Sequence, residues 1–122
     1  MKDFRQLKVW EKAHRLTLGV YDATAKFPPE ERYGITSQIR RCSASIAANI
    51  AEGCGRANDG DFCRFLDTAM GSANELDYHL LLAKDLGLMD PRKYAELRER
   101  VLEVKRMLST LIRKVQDDRR SE

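Results

Sequence analysis

Long apolar runs are missing from this 122-residue chain: the longest, Leu80 to Ala83, is four residues, against the roughly 20 that a bilayer-spanning helix needs. Residues 1–12 are too charged for a secretory signal, so the expectation is a soluble, cytoplasmic protein with no membrane partner. Cysteine is scarce: Cys42, Cys54 and Cys63 form no C-x-x-C pair and leave one thiol over in any disulfide scheme, which fits reduced thiols. With only 7 Gly and 3 Pro beside 43% apolar and 34% charged residues, the composition is that of a helix-leaning globular domain and not of a disordered or collagen-like chain. A large charge imbalance is absent too. The 22 basic and 19 acidic side chains leave +3, so composition alone does not announce a nucleic-acid binder. That surplus lies in residues 1–60, with 10 basic and 7 acidic groups, whereas residues 61–122 carry 12 of each.

What the chain does have is helical periodicity. Val9, Ala13, Leu16, Val20, Ala23 and Phe27 recur at spacings of three and four, predicting a first helix that stops at Pro28-Pro29. Ile35, Ile39, Cys42, Ile46, Asn49 and Gly53 repeat the alternation in a second helix, whose seam contains one polar residue, Asn49. Phe62, Leu66, Ala69, Ala73, Leu76, Leu80 and Ala83 mark a third, with Asn58, Asp59 or Asp61 as candidate N-caps and Gly87 just past its end. Asp90 followed by Pro91 opens a fourth, which continues through Tyr94, Leu97, Val101, Val104, Leu108, Leu111 and Val115. Short connections favour antiparallel neighbours, so the expected fold is all-α, an up-down-up-down four-helix bundle in a single domain over residues 1–122, with a polar tail fraying from about residue 116.

Chemistry-bearing patterns are few. A single Glu-x-x-His, Glu11 to His14, stands where a carboxylate-bridged metal bundle would need two, and P-loop, Rossmann and nucleophile-elbow patterns are missing. No metal, cofactor or catalytic residue is expected; Cys42 reads as a small core residue. Ser45, Asn49 and Glu52 descend one stripe of the second helix, and Ser72 and Glu75 lie on the third. A polar stripe that reaches into a core position usually forms an internal hydrogen-bond network that sets register; a catalytic stripe would need a nucleophile that is lacking. Ala44, Ala47, Ala48 and Ala51 cluster on the far side of the second helix, small enough to let another subunit's helix approach, or else simply a surface of good helix formers. Lys8, Lys12 and Arg15 fall in one column of the first helix, and with Arg40, Arg41 and Arg56 they could gather into a phosphate-contacting surface. Charged columns are also ordinary solvated faces.

The wording "FRQLKVWEKAHRL", "FPPEERYGITSQIRRCSASIAANIAEGCGR" and "FCRFLDTAMGSANEL" resembles the bacterial four-helix bundle family encoded in intervening sequences of 23S ribosomal RNA genes, from Phe4 to about Leu88. The accessory variability determinant proteins of diversity-generating retroelements, which act beside a reverse transcriptase, share that bundle. The resemblance implies a homopentamer without enzymatic activity and with a link to nucleic acid. It places signature positions on Trp10, Tyr33, Gly34, Gln38, Arg40, Arg41, Ser45, Asn49, Glu52, Gly53, Arg56, Gly71, Ser72 and Glu75. Ala47 departs from it, since relatives commonly carry proline there, and alanine keeps the N–H that proline removes.

The function expected from these observations is a non-enzymatic homo-oligomeric scaffold whose basic surface binds RNA or DNA, RNA first, or a nucleic-acid-handling protein such as a reverse transcriptase. The alternative is a protein–protein adaptor with no nucleic-acid binding.

Overall fold

Asn58 and Asp90 each open a helix by turning a side-chain oxygen back onto the first turn: Asn58 Oδ1 accepts from the Asp61 N–H at 2.8 Å, and Asp90 Oδ1 accepts from the Arg92 N–H at 3.0 Å. The computed structural model describes residues 2–121 and contains four α-helices, α1 Lys8–Thr24, α2 Ile35–Cys54, α3 Asp59–Asp85 and α4 Pro91–Arg120, with 3-10 turns at Phe4–Gln6 and Pro29–Glu31. Gly87 sits at φ 78°, where the Leu88 N–H reaches the Ala83 carbonyl at 2.9 Å and the Gly87 N–H reaches that of Lys84 at 3.0 Å. This paired closure ends α3 and reverses the chain into α4.

Each helix packs against two others. α1 lies beside α2 and α4, and α3 beside α2 and α4, while among the described residues the diagonal pairs make no close backbone approach. The result is the square, antiparallel, up-down-up-down bundle that the periodicity predicts. Its centre is filled by Leu16, Ile39, Ile46, Ile50, Leu66, Leu76, Leu80, Leu97 and Leu108, all fully buried; burying each side chain contributes about 1.5–3 kcal/mol relative to leaving it in water. At Gly53 α2 meets α3 so closely that a methyl group would stand 2.9 Å from Phe65 Cβ.

Four local expectations are corrected. The first helix ends at Thr24, before Phe27: Pro28 disfavours a helical conformation at the residue before it, the Phe27 N–H closes onto the Thr24 carbonyl at 3.0 Å, and Phe27 enters the core from that turn. In α2 the core position assigned to Asn49 is taken by Ile50, which is fully buried while Asn49 is only partly so. The buried face of α2 is wider than a 3.5-residue seam and takes in Thr36, Ser43, Ala47, Ile50 and Cys54 from the first turn to the last, which leaves Asn49 at its opposite border. For the same reason Ala47 is not on the outer face with the other alanines: it is 8% exposed and belongs to the core, and α2 passes through it unbroken. The tail does not end its helix near residue 116. α4 continues to Arg120, held by the buried Val115 and an Asp117–Arg120 ion pair of 3.7 Å, with the Arg119 guanidinium lying against Gly60.

Candidate nucleic-acid interface

The contacts of α1 decide how its cations can be used. Lys12 pairs with Glu103 of α4 at 3.4 Å, and Lys8 lines a groove with Arg106, Met107 and Leu111 of the same helix. Arg15 bonds to Glu11 on its own helix at 3.3 Å. The Lys8, Lys12 and Arg15 column therefore belongs to the α1/α4 edge. On α2, Arg41 reaches the other way, to Glu75 of α3 at 3.4 Å, and Arg56 pairs with Glu52 at 2.8 Å with its guanidinium over Phe65 of α3. Those two edges are opposite sides of the square, so one chain does not assemble all six predicted cations into one patch. His14 stacks on Trp10 at 5.0 Å, and Glu11 is taken by Arg15, which leaves the Glu-x-x-His pattern as surface packing.

A different gathering occurs at the end of the bundle where α1 leads into α2. The hollow there is about 430 Å³ and is lined by Tyr21, Arg32, Tyr33, Thr36, Ser37, Arg40 and Arg41. Arg40 donates through Nε to Thr24 Oγ1 at 2.8 Å and through Nη2 to the Tyr21 carbonyl at 3.3 Å, and its guanidinium lies 4.5 Å from the centre of the Tyr21 ring. None of these partners is a carboxylate, so the charge of Arg40 is held in place without being neutralised. Arg32 makes no ion pair among the described residues, and Tyr33 is 91% exposed. Thr36 Oγ1 is buried at the wall of this hollow with no hydrogen-bond partner among the described residues. An orphaned hydroxyl of this kind costs about 1–3 kcal/mol unless something supplies a bond. Arg40 and Arg41 were singled out from the sequence; Arg32, Tyr21 and Thr36 were not. The Arg32-Tyr33 pair just after the Pro28-Pro29 turn is the local signal for Arg32, and nothing in the sequence marks Tyr21 or Thr36.

The polar stripe is partly assembled. Ser45 and Ser72 share a 2.9 Å hydrogen bond across α2 and α3, and Asn49 donates to the Ser45 carbonyl at 2.8 Å and to Ser45 Oγ at 3.0 Å. Among the described residues the serine pair joins α2 to α3, and Glu75 adds its contact with Arg41. The bonds of Asn49 stay within α2, and Glu52 faces Arg56. Asn49→Ala is therefore expected to cost about 1 kcal/mol, the usual net value of a hydrogen bond, because Ser45 keeps Ser72 as a partner. The urea midpoint measures this, and a loss above 3 kcal/mol would restore Asn49 as a core register group.

Next to the stripe, burial pushes the Cys42 thiol up to about 12, with the neighbouring Glu75 carboxylate adding to the effect. The same thiol contact, and then Arg41, hold the Glu75 carboxyl below its ordinary value. Cys54 and Cys63 are also raised by burial, and all three thiols are free. None has the lowered pKa of a nucleophilic cysteine.

Of the alanines, Ala44 and Ala48 are exposed and Ala51 is half-buried. With Arg40 turned to α1 and Arg41 to α3, the outward strip between them is free of charge. Residues 5–110 match the 23S rRNA-intervening sequence protein family. The chain belongs to that family. The fold is also similar to the crystal structure of a protein of unknown function from the S23 ribosomal protein family of Bacteroides thetaiotaomicron, at 24% identity and a TM-score of 0.77, over 85% of this chain and 97% of the other. No curated protein matches. Family membership covers the Arg32–Arg41 hollow, the polar stripe and the alanine strip alike. No described helix is long and apolar enough to cross a membrane.

Proposed function

We propose that this protein is a non-enzymatic, cytoplasmic, homo-oligomeric scaffold that binds single-stranded nucleic acid, RNA first, at the α1–α2 end of each bundle. The observation that carries this reading is the hollow that gathers Arg32, Arg40 and Arg41 with Tyr21 and Tyr33. Guanidinium groups contact phosphates, while an exposed tyrosine ring offers a face on which an unpaired base stacks. Duplex bases present no free face, so the arrangement favours single strands. Arg40 uses two N–H groups inside the protein and keeps three of its five donors for a ligand. Membership in a family named for ribosomal RNA intervening sequences supports the nucleic-acid assignment, and the pentameric ring that the sequence resemblance implies would repeat the site around an axis. A reverse transcriptase would then be a partner that shares the same nucleic acid.

Fluorescence anisotropy with single-stranded RNA, single-stranded DNA and duplex DNA tests the reading. Single strands are expected to bind more tightly than duplex, with log affinity falling by about 0.7 per log unit of salt for each phosphate contacted. If no nucleic acid binds even at low salt, the adaptor reading replaces this one.

A further inference from the structure

Midway along the α2/α3 edge three unlike side chains converge: Cys42 from α2, and Glu75 and His79 from successive turns of α3. One ligand atom of each lies within 4.8 Å of the other two. We propose that these three residues form a binding site for a thiophilic divalent transition-metal ion of the Zn²⁺ type, clamping α2 to α3.

The geometry is close to what such an ion requires. Zinc bonds of about 2.3 Å to sulfur and about 2.0 Å to nitrogen in a tetrahedron put the two ligand atoms roughly 3.5 Å apart. Cys42 Sγ stands 3.9 Å from His79 Nδ1, so that pair needs a closure of a few tenths of an ångström, while the Glu75 oxygen, within 4.8 Å of both, needs a side-chain movement of at most about an ångström. Glu75 and His79 are four residues apart on one helix, which places both on the same face, opposite the thiol. Glu75 contributes a second useful feature. Arg41 holds its Oε2 at 3.4 Å, which leaves the other carboxylate oxygen for the ion and keeps Arg41 as an outer partner that orients the ligand.

His79 Nδ1 now lies 2.9 Å from the Glu75 carbonyl. To ligate through Nδ1 the ring must carry its proton on Nε2, give up the hydrogen bond to the Glu75 carbonyl and turn its Nδ1 lone pair towards Cys42. On coordination the Cys42 S–H bond breaks, its proton leaves to solvent, and the sulfur lone pair forms the metal bond. A thiolate and a carboxylate then balance the two charges of the ion. The donor set of one sulfur, one nitrogen and one oxygen selects Zn²⁺ or Co²⁺ over Mg²⁺ and Ca²⁺, which require oxygen shells. Cys42 is buried, His79 is half-exposed and the Glu75 carboxylate is exposed, so the ion has a path from solvent. A fourth coordination position remains for water or an added ligand.

Co²⁺ titration of the full-length, reduced protein is the test. One equivalent per chain should produce a thiolate-to-cobalt charge-transfer band in the near ultraviolet and the visible bands of a four-coordinate site, both abolished by Zn²⁺. Cys42→Ser should lose the near-ultraviolet band, and His79→Gln should weaken binding by at least about tenfold. The Cys54→Ser/Cys63→Ser double variant should keep both bands. Circular dichroism checks that Cys42→Ser is folded, and His79→Gln alters a half-exposed side chain. Zn²⁺ should also raise the Tm of the parent and not that of His79→Gln. No band in the parent at one equivalent overturns the proposal, as does a band that survives in Cys42→Ser or disappears only in the Cys54/Cys63 variant.

Discussion

Replacing Arg32 and Tyr33 together by alanine is expected to weaken binding of a short single-stranded RNA by about 10- to 500-fold while leaving the Tm unchanged. One base stacked on an aromatic ring is worth about 1–3 kcal/mol, and 1.4 kcal/mol is a factor of about ten in affinity. Losing one guanidinium removes a phosphate contact and flattens the salt slope by about 0.7. Stability should be untouched because Tyr33 is 91% exposed and Arg32 has no ion-pair partner among the described residues. Exposed substitutions of this kind normally stay within about 0.5 kcal/mol. Arg40→Ala is a poorer probe, since it also removes the bonds to Thr24 and to the Tyr21 carbonyl that join α1 to α2. Lys12→Ala is the matching control. Its ammonium already pairs with Glu103 on the α1/α4 edge, and its loss should change affinity little. Equal losses from the control and from the double variant would mean that binding is diffuse attraction and that the hollow has no special part in it.

The parts of the fold that were legible in the sequence are those with a local cause. Asn58, Asp90-Pro91 and Gly87 act within a few residues of themselves, and each does in the structure what its type predicts. The four seams were legible because Leu and Ile recur at a period that no strand tolerates. The features not legible there depend on how many neighbours a helix has and on residues distant in sequence. Ile50 takes the place of Asn49, and Ala47 faces inward, because α2 lies between α1 and α3 and buries a face wider than one seam, with Thr36 and Ser43 on the same flank. The candidate site shows the same division. Arg40 and Arg41 are adjacent in sequence and identical in type, yet the square packing sends one to α1 and the other to α3. The meeting of Cys42 with Glu75 and His79 joins positions more than thirty residues apart, and no spacing rule within one segment could announce it.

Placing a carboxylate on the outer strip of α2 is expected to break the proposed ring into folded single subunits. Ala44 and Ala48 are exposed in the isolated chain, and the strip between Arg40 and Arg41 bears no charge. A closed ring made by rotation joins two different patches of each subunit, so one altered strip interrupts every contact around it. Small side chains bring helix axes together, and a glutamate pressed into such a contact would be a desolvated charge without a partner, costing about 3–5 kcal/mol. In the free subunit the same glutamate is solvated and is a good helix former, so Ala48→Glu should keep the helical circular dichroism and the Tm of a folded bundle. Light scattering after size exclusion then separates the two cases. A monomer mass for Ala48→Glu beside a larger mass for the parent assigns this strip to the interface. An unchanged mass rejects the strip as the subunit contact. If dissociation also lowers RNA affinity at unaltered Arg32 and Tyr33, the contribution of assembly is avidity, because the hollow itself is built from one chain.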